Sequence, residues 1–173
     1  LSQVSPTDKT TLAEIDALLQ KEGIRRDGNL DYICAMFDED YHVIGTGSCF
    51  GNTLRCFAVS SDHQGEGLLN QIITHLIEVQ CARGNLHLFL YTKGKSSKFF
   101  GDLGFYEIAR VEDTLVFMEN RRDGFGAYLR GLEKTKTEGR SAALVMNANP
   151  FTLGHQYLVE TAAAACDTLH LFV

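Results

Sequence analysis

The chain has 173 residues, 45% of them hydrophobic and only two of them proline, so a packed core is expected and disorder is not. This length allows one ordinary domain and a remainder. The formal net charge of -6 argues against a nucleic-acid-binding surface, which needs a basic face. Because no apolar run is long enough for a membrane span or a secretory segment, we expect a cytoplasmic protein without nucleic-acid or membrane partners.

The cysteines and histidines show no metal-ligand spacing. The five cysteines are odd in number, lack a CxxC pair and lie in or beside apolar runs, which favours reduced thiols in a core. The six histidines form no HxxxH pair and no cluster with cysteine. We therefore predict no metal site.

The N-terminal segment "SPTDKTTLAEIDALLQKEG" predicts a helix. Ser5 is the expected cap, Pro6 would occupy the first helical position, Asp8 would fall in the first turn, and Gly23 would end the helix. One face of this helix carries the apolar residues Leu12, Ile15, Leu18 and Leu19.

Three strand candidates follow, at 30–38, 41–50 and 53–60, and turn residues between them favour an antiparallel meander. A glycine-rich turn then leads into a long helix, and "LHLFLYT" reads as a buried strand. Residues 97–120 read as a short helix, a glycine turn and a hairpin. The fold class is thus α/β (α+β), a mixed sheet with flanking helices.

The composition changes at residue 121. Residues 121–140 are charged and interrupted by glycines, with apolar residues at helical spacing, so we predict a connecting helix that ends near Gly139. This places one domain at 1–120, a linker at 121–140 and the start of a second domain at 141–173.

The segment "QGEGL" lies between a strand and a long helix and is a candidate anion site. A turn of this kind leaves backbone N–H groups unpaired at the positive end of the helix dipole, and glycine lets a pyrophosphate approach the backbone. The alternative is a helix-start turn that binds nothing. The candidate ligand-binding residues are Gln64, Gly65, Glu66, Gly67 and Leu68.

This region resembles the GCN5-related N-acetyltransferase (GNAT) family, whose coenzyme A loop has the form Q/R-x-x-G-x-G/A. The match is at Gln64 and Gly67, and the chain departs from the pattern at Leu69. The segment 98–108, "KFFGDLGFYEI", also resembles the family's "FYEKLGF" segment. The resemblance implies a coenzyme A site with acetyl-CoA or a CoA-like group as its ligand.

Two departures weaken the expectation of acetyl transfer by this half. The tyrosine that often protonates the leaving thiolate in that family falls on Phe100, whose ring carries no proton to donate. The strand 53–60 lacks an acidic residue, which leaves Asp62 and His63 as the candidate general bases. The sequence therefore predicts a holder for a CoA-like molecule more strongly than a transferase.

Two glycine-containing segments resemble nucleotide motifs without matching them. Residues 93–97, "KGKSS", lack the upstream glycine of a P-loop, because that position holds Phe89. We read this segment as a solvated turn, with contact to a coenzyme phosphate as the alternative. The segment "GTGSCF" lies inside a strand with no helix after it and is not a dinucleotide fingerprint.

Residues 141–173 read as a β-α-β unit of a Rossmann-like sheet. "AALVM" is typical of a buried parallel strand, "NANPF" ends it, "TLGH" begins a helix, and "LHLFV" would be the returning strand. Gly154 permits close approach of the backbone, while Thr152 and His155 add donors at the helix N-terminus. The alternative is a capped helix with a surface histidine.

This unit resembles the (H/T)-x-G-H signature of the class I nucleotidyltransferase superfamily. The resemblance implies a bound ATP whose phosphates are held by the turn, with Thr152 and His155 as the catalytic residues that stabilise charge during attack on the α-phosphate. The residues expected to bind ATP are Asn149, Pro150, Phe151, Thr152, Gly154 and His155.

The order of these two halves resembles the citrate lyase ligase family across nearly the whole chain. That resemblance implies that ATP, with Mg²⁺, and acetate form acetyl-adenylate. The acetyl group would then pass to the thiol of a dephospho-CoA-derived prosthetic group on the acyl carrier subunit of citrate lyase. A later signature of the family is not matched, so we expect an N-terminal piece of a longer ligase that is incomplete as an enzyme. Two alternatives remain: a GNAT-type acetyltransferase using acetyl-CoA, and a non-catalytic acyl-CoA-binding module.

Overall fold

The computed structural model describes residues 1–112 and 114–173. Asp113, which falls within the predicted hairpin, lies outside the described residues. The helices and strands in chain order are β1 (Ser2–Gln3), α1 (Lys9–Lys21), β2 (Tyr32–Phe37), β3 (Val43–Phe50), β4 (Thr53–Val59), α2 (Leu68–Ala82), β5 (Phe89–Thr92), α3 (Ser97–Asp102), β6 (Tyr106–Val111), β7 (Leu115–Glu119), α4 (Gly124–Glu133), β8 (Ser141–Val145), α5 (Leu153–Ala164) and β9 (Thr168–Phe172).

The chain divides into two compact units, Leu1–Phe125 and Gly126–Val173. The first unit contains a seven-stranded sheet in the order β1-β2-β3-β4-β5-β7-β6. Strands β2, β3 and β4 form the predicted antiparallel meander, and β6 pairs with β7 as the predicted hairpin. The mixed α/β fold class is confirmed. No helix in the described part of the chain is both long and apolar enough to cross a membrane.

Strands β4 and β5 are parallel neighbours that stay together for only two residue pairs. Thr53 pairs with Phe89 and Leu54 with Leu90, and the strands part beyond Leu54. The pairing of β3 with β4 shifts between Thr46 and Ser48, and Cys56 on β4 has a positive φ of 48°. Because an extra residue in one strand bends it, this bulge helps to turn β4 away from β5. The result is a wedge-shaped opening in the middle of the sheet.

Each face of the sheet has its own apolar core. Helix α2 covers one face, where Ile72 and Leu76 are fully buried. Helix α1 covers the other face through a smaller cluster that includes Ile15 and Leu19. These cores hold the two helices against the central strands, so the first residues of α2 have a well-defined position beside the opening.

Helix α1 begins later than the sequence predicted. Asp8, not Ser5, is its N-cap: the Asp8 Oδ1 accepts a hydrogen bond from the Thr11 N–H at 3.1 Å, and its Oδ2 accepts one from the Thr11 hydroxyl at 2.7 Å. The Ser5 hydroxyl instead bonds the Thr7 hydroxyl at 2.8 Å, which uses it in a preceding turn. Because the Ser5 hydroxyl is used in this hydrogen bond with Thr7, Asp8 caps the helix in its place. Pro6 therefore lies outside the helix.

The second unit contains the predicted β-α-β unit. Strands β8 and β9 are parallel, with Ser141 opposite Thr168 and Val145 opposite Phe172, and α5 connects them. Helix α4 ends at Glu133, six residues before the predicted end at Gly139. The main-chain N–H and the hydroxyl of Thr135 both donate to the Leu132 carbonyl, which closes a turn and ends the helix there.

Candidate functional site

The opening between β4 and β5 is a cleft of about 750 Å³ in the first unit. This size suits a cofactor or a small organic ligand. Its walls come from residues 22–27, from β4, from the loop and first turn of α2, and from β5 with the turn after it. We call it the central cleft.

The segment Gln64–Leu68, the glycine loop, is at one end of the central cleft. Four of its five residues line the cleft wall, and Glu66 does not. The Glu66 carboxylate instead lies 3.3 Å from the His63 Nδ1. The structure therefore brings together Gln64, Gly65, Gly67 and Leu68 at the cleft and directs the Glu66 side chain elsewhere.

The N-terminus of α2 offers free donors to the cleft. The first hydrogen bond of the helix runs from the Gln71 N–H to the Gly67 carbonyl at 3.2 Å, and no side chain among the described residues caps this end. The N–H groups of Leu68, Leu69 and Asn70 thus have no partner within the helix. Together with the helix dipole, these donors favour an anionic ligand.

Glycine at positions 65 and 67 is required by backbone conformation. Their φ angles are 93° and 75°, in the region that a side chain disfavours. A Cβ atom at either position would meet nothing within 4 Å. Crowding inside the protein therefore does not explain these glycines, and the space above them remains open for a ligand.

The inner wall of the central cleft is aromatic. Phe100 is only 1% exposed, and its ring lies 5.1 Å from the rings of both Phe57 and Phe99. Because residue 100 is phenylalanine, this position has no hydroxyl group that could donate a proton. Among the two candidate bases, His63 lines the cleft, whereas Asp62 is not among the described lining residues.

The "KGKSS" turn forms part of the same wall. Lys93, Lys95 and Ser96 line the central cleft, and residues Gly94–Ser96 form a short 3₁₀ helix. The Lys93 ammonium donates to the Glu22 carbonyl at 2.5 Å, so this side chain is tied to the segment before β2. The turn is thus placed where a ligand in the cleft could reach Lys95.

Two cleft residues, Arg55 and Cys56, were not singled out from the sequence. The Cys56 Sγ accepts a hydrogen bond from the Asp27 N–H at 3.4 Å, and burial raises the pKa of this thiol. The Arg55 guanidinium donates to the Asp27 Oδ2 at 2.9 Å. The sequence did contain a signal for Arg55, because it is the only charged residue in the strand segment "TLRCFAVS". A charge at a half-buried position needs a partner, so this arginine could have been noted as a candidate site residue.

In the second unit, Thr152 and His155 contact each other at the start of α5. The His155 Nδ1 accepts the Thr152 N–H at 3.0 Å and lies 2.8 Å from the Thr152 Oγ1. Since Nδ1 is an acceptor, the neutral ring carries its proton on Nε2. The Phe151 ring stacks on the imidazole with centroids 5.7 Å apart. The ring is therefore oriented with Nε2–H as its available donor.

The other predicted ATP-binding residues lie in the same turn, between the end of β8 and the start of α5. Asn149 and Pro150 precede the cap residue Thr152, and Gly154 falls in the first turn of α5. This turn, Asn149–His155, leaves the carboxyl end of a parallel strand, which is the edge where open α/β sheets bind ligands. We call it the TLGH turn.

Similarity to solved structures defines the fold of the first unit. An acetyltransferase of the GNAT family from Staphylococcus aureus Mu50 superposes with a TM-score of 0.56 at 14% identity, covering 68% of this chain and 95% of that one. An aminoglycoside 6'-N-acetyltransferase complexed with coenzyme A gives a TM-score of 0.57 at 12% identity, covering 68% and 94%. The first unit thus has the GNAT acyltransferase fold.

Sequence similarity is more specific. The [citrate [pro-3S]-lyase] ligase of Klebsiella pneumoniae is 39% identical over 96% of this chain, and that of Haemophilus influenzae is 33% identical over 96%. The family described as "Citrate lyase ligase C-terminal domain" matches residues 141–173. The chain is thus similar to citrate lyase ligases along nearly all of its own length. It spans about half the length of these relatives, 48% and 50%.

Proposed function

We propose that this chain contributes to an ATP-dependent acid–thiol ligase. Acetate would attack the α-phosphorus of ATP, forming acetyl-adenylate as pyrophosphate leaves. A thiol would then attack the acetyl carbonyl, forming a thioester as AMP leaves. The thiol acceptor would be a dephospho-CoA-derived arm on the acyl carrier subunit of citrate lyase, in the cytoplasm. The observation that carries this proposal is the presence of two phosphate-suited helix N-termini, one in each unit of a chain similar to citrate lyase ligases.

The central cleft is the proposed site for the CoA-like arm. The free N–H groups at the start of α2 suit the pyrophosphate of such an arm, and the aromatic inner wall suits its apolar part. Gln64, Gly65, Gly67 and Leu68 would form the phosphate cradle, while Glu66 would border it.

The TLGH turn is the proposed site for the ATP phosphates. The Nε2–H of His155 is held as a donor, because Nδ1 is occupied by Thr152. A donor oriented before the reaction can stabilise charge that develops on the phosphate oxygens. Any Mg²⁺ would enter with ATP: no group of three or more His, Cys, Asp or Glu among the described residues is arranged to hold a metal ion.

This division of work explains why the central cleft has no proton donor at Phe100 and no carboxylate on strand β4. When the acetyl group is already activated as an adenylate, its transfer needs positioning of the thiol more than a proton donor at the position of Phe100. The buried phenyl ring is compatible with holding the arm. A GNAT-type acetyltransferase remains the second candidate because the fold is shared, but Phe100 offers no general acid and strand β4 has no carboxylate to act as general base.

Calorimetry with coenzyme A and dephospho-coenzyme A tests the first site. We expect Gly67→Ala to weaken binding at least tenfold, because alanine disfavours the left-handed conformation and moves the N–H groups. Gly84→Ala is the matched control: Gly84 has a φ of 83° with no neighbour within 4 Å of an added Cβ, and it lies at the other end of α2. Equal binding by both variants would contradict the proposed cradle.

Calorimetry with ATP tests the second site. His155→Ala should weaken ATP binding, whereas His170→Ala, which removes an exposed histidine from β9, should not. If the wild-type chain binds coenzyme A and transfers acetyl from acetyl-CoA to an amine, without binding ATP, the acetyltransferase function replaces the ligase proposal.

A further inference from the structure

Arg55 lines the central cleft at the point where β4 and β5 part, which we call its inner end. The glycine loop is at the other end. Arg55 is the first residue of β4 after Leu54, the last residue of that strand to pair with β5. Val59, which also lines the cleft, is four residues further along the same strand and leads to the glycine loop. An extended residue rises about 3.3 Å and the bulge at Cys56 shortens this stretch, so Arg55 is at most roughly 13 Å from the Val59 end of the cleft.

The orientation of the Arg55 guanidinium is fixed by three neighbours. Its Nη1 donates to the Asp27 Oδ2 at 2.9 Å. Its Cζ lies 5.6 Å from the centroid of the Phe50 ring and 5.9 Å from that of Tyr91, both of which are half-exposed. The Arg55 side chain remains 28% exposed. A guanidinium held in this way loses little freedom when it binds an anion.

The guanidinium also has more donors than the protein uses. Arginine carries five N–H groups, and within residues 1–112 and 114–173 only Asp27 accepts from Arg55. Its Nε is buried without a hydrogen-bond acceptor in that part of the chain. Unpaired buried donors are unfavourable, so an additional acceptor would complete this group. A carboxylate suits the planar fork, because its two oxygens can each accept one N–H.

The charge of the cleft also favours an anion. The protein has a formal net charge of -6, yet the described residues that line the cleft carry more cations than carboxylates. The cations are Arg25, Arg55, Lys93 and Lys95, and the carboxylates are Glu22 and Asp27. This local excess attracts negative groups beyond the pyrophosphate assigned to the glycine loop.

We propose that the inner end of the central cleft is a carboxylate-binding subsite, in which Arg55 holds the anion beside the thiol end of the CoA-like arm. This rests on the proposed function, because the arm is oriented by its pyrophosphate at the glycine loop. Between pyrophosphate and thiol the arm has two amide units and short connecting segments, which span roughly 15 Å when extended. The carboxylate belongs either to a free acid or to the far end of an acyl chain on the thioester.

The first experiment detects the subsite without the arm. Succinate is titrated into the ¹⁵N-labelled full chain, and the Arg55 Nε–H resonance is followed by NMR after assignment with Arg55→Lys. We expect millimolar succinate to shift this resonance. Asp27→Asn should tighten succinate binding severalfold, because the asparagine oxygen can still accept the hydrogen bond of Nη1 while the competing negative charge is removed. Arg26→Gln is the control, since Arg26 pairs with Asp16 and does not line the central cleft.

The second experiment distinguishes the two sources of the carboxylate. Calorimetry compares succinyl-CoA with acetyl-CoA, and titrates acetate into the CoA-saturated chain. A preference for succinyl-CoA of about tenfold, lost in Arg55→Gln, identifies a tethered carboxylate, since a charged hydrogen-bonded pair of this kind is worth about a factor of ten. Acetate binding that depends on Arg55, without that preference, identifies a free acid.

The outcomes separate this inference from the proposed function. If coenzyme A binds but neither succinate, acetate nor the succinyl group depends on Arg55, the carboxylate subsite is wrong and the arm site stands. If succinate shifts Arg55 and coenzyme A does not bind, the subsite stands and the arm site is wrong. If Asp27→Asn leaves succinate binding unchanged, succinate does not compete with Asp27 for the guanidinium, and the carboxylate subsite at Arg55 is wrong.

Discussion

Substituting alanine for Gly47 tests how closely α2 packs on the sheet. A Cβ atom at Gly47 would lie 2.6 Å from the Ile72 Cγ2 and 2.9 Å from the Leu76 Cδ1. Both side chains are 0% exposed and sit among other core residues, so neither can swing away freely. Gly47 is thus a contact position for α2, which accounts for a glycine inside strand β3.

The expected effect of Gly47→Ala is a net destabilisation of about 1–2 kcal/mol. Overpacking a well-filled core costs roughly 1–3 kcal/mol, and the loss of glycine flexibility in the unfolded chain offsets roughly 0.4–1 kcal/mol of this. At roughly 2–4 °C per kcal/mol, the melting midpoint should fall by about 2–8 °C. Because α2 begins at the glycine loop, coenzyme A binding should weaken together with stability.

Circular dichroism during thermal and urea unfolding measures this change. Gly101→Ala is the matched control, since the same methyl group in α3 would meet nothing within 4 Å. Alanine is also the better helix residue there, so the midpoint should stay equal or rise slightly. The packing argument is refuted if Gly47→Ala melts at the same temperature as the wild-type chain.

Two further predictions concern titratable groups. The bidentate hydrogen bonds from Arg26, at 2.6 and 2.9 Å, lower the pKa of Asp16 below 3.8, so its stabilising charge is present above that pH and is lost as pH falls through the lowered pKa. The side chain is 47% exposed, and urea unfolding of Asp16→Asn should therefore show a loss of only a few tenths of a kcal/mol at pH 7. This loss should shrink as pH falls below 3.8, and a loss that stays the same at all pH values would contradict the argument. Burial raises the pKa of the Cys56 thiol, and it raises the pKa of the Cys34 thiol to about 12. At pH 8 a thiol reagent should therefore modify the exposed Cys81 first and Cys56 slowly, and it should modify Cys34 only when the protein unfolds. Coenzyme A should slow Cys56 further and leave Cys81 unchanged; equal rates with and without it would place the ligand elsewhere.

Much of the local structure could be predicted because its signals are local. The turn residues between β2, β3 and β4 indicated the meander, and the apolar run of β8 followed by a break indicated the β-α-β unit. The glycines of the glycine loop were visible as well, since a positive φ restricts the residue type. The assignment of ligands to the glycine loop and the TLGH turn stays a prediction, as do the domain boundaries at 120 and 140.

Where two local solutions compete, or where an element is too short, the sequence was not sufficient. Either Ser5 or Asp8 could cap α1, and only the complete set of hydrogen bonds selected Asp8. Strand β1 has two residues, Ser2 and Gln3, and exists because β2 supplies an edge with which it can pair. Two residues are too few to show the alternation of apolar and polar side chains by which a strand is predicted.

By itself, the sequence determined the order of helices and strands, the position of the glycine loop and the relation to citrate lyase ligases, because these depend on residue type and spacing along the chain. Only the tertiary structure decided that β4 and β5 part beyond Leu54, and that Arg55, Asp27 and Tyr91 meet at the opening. Those contacts join segments far apart in the chain. Their geometry follows from how the strands bend and pair across the sheet, which no local pattern of residues specifies.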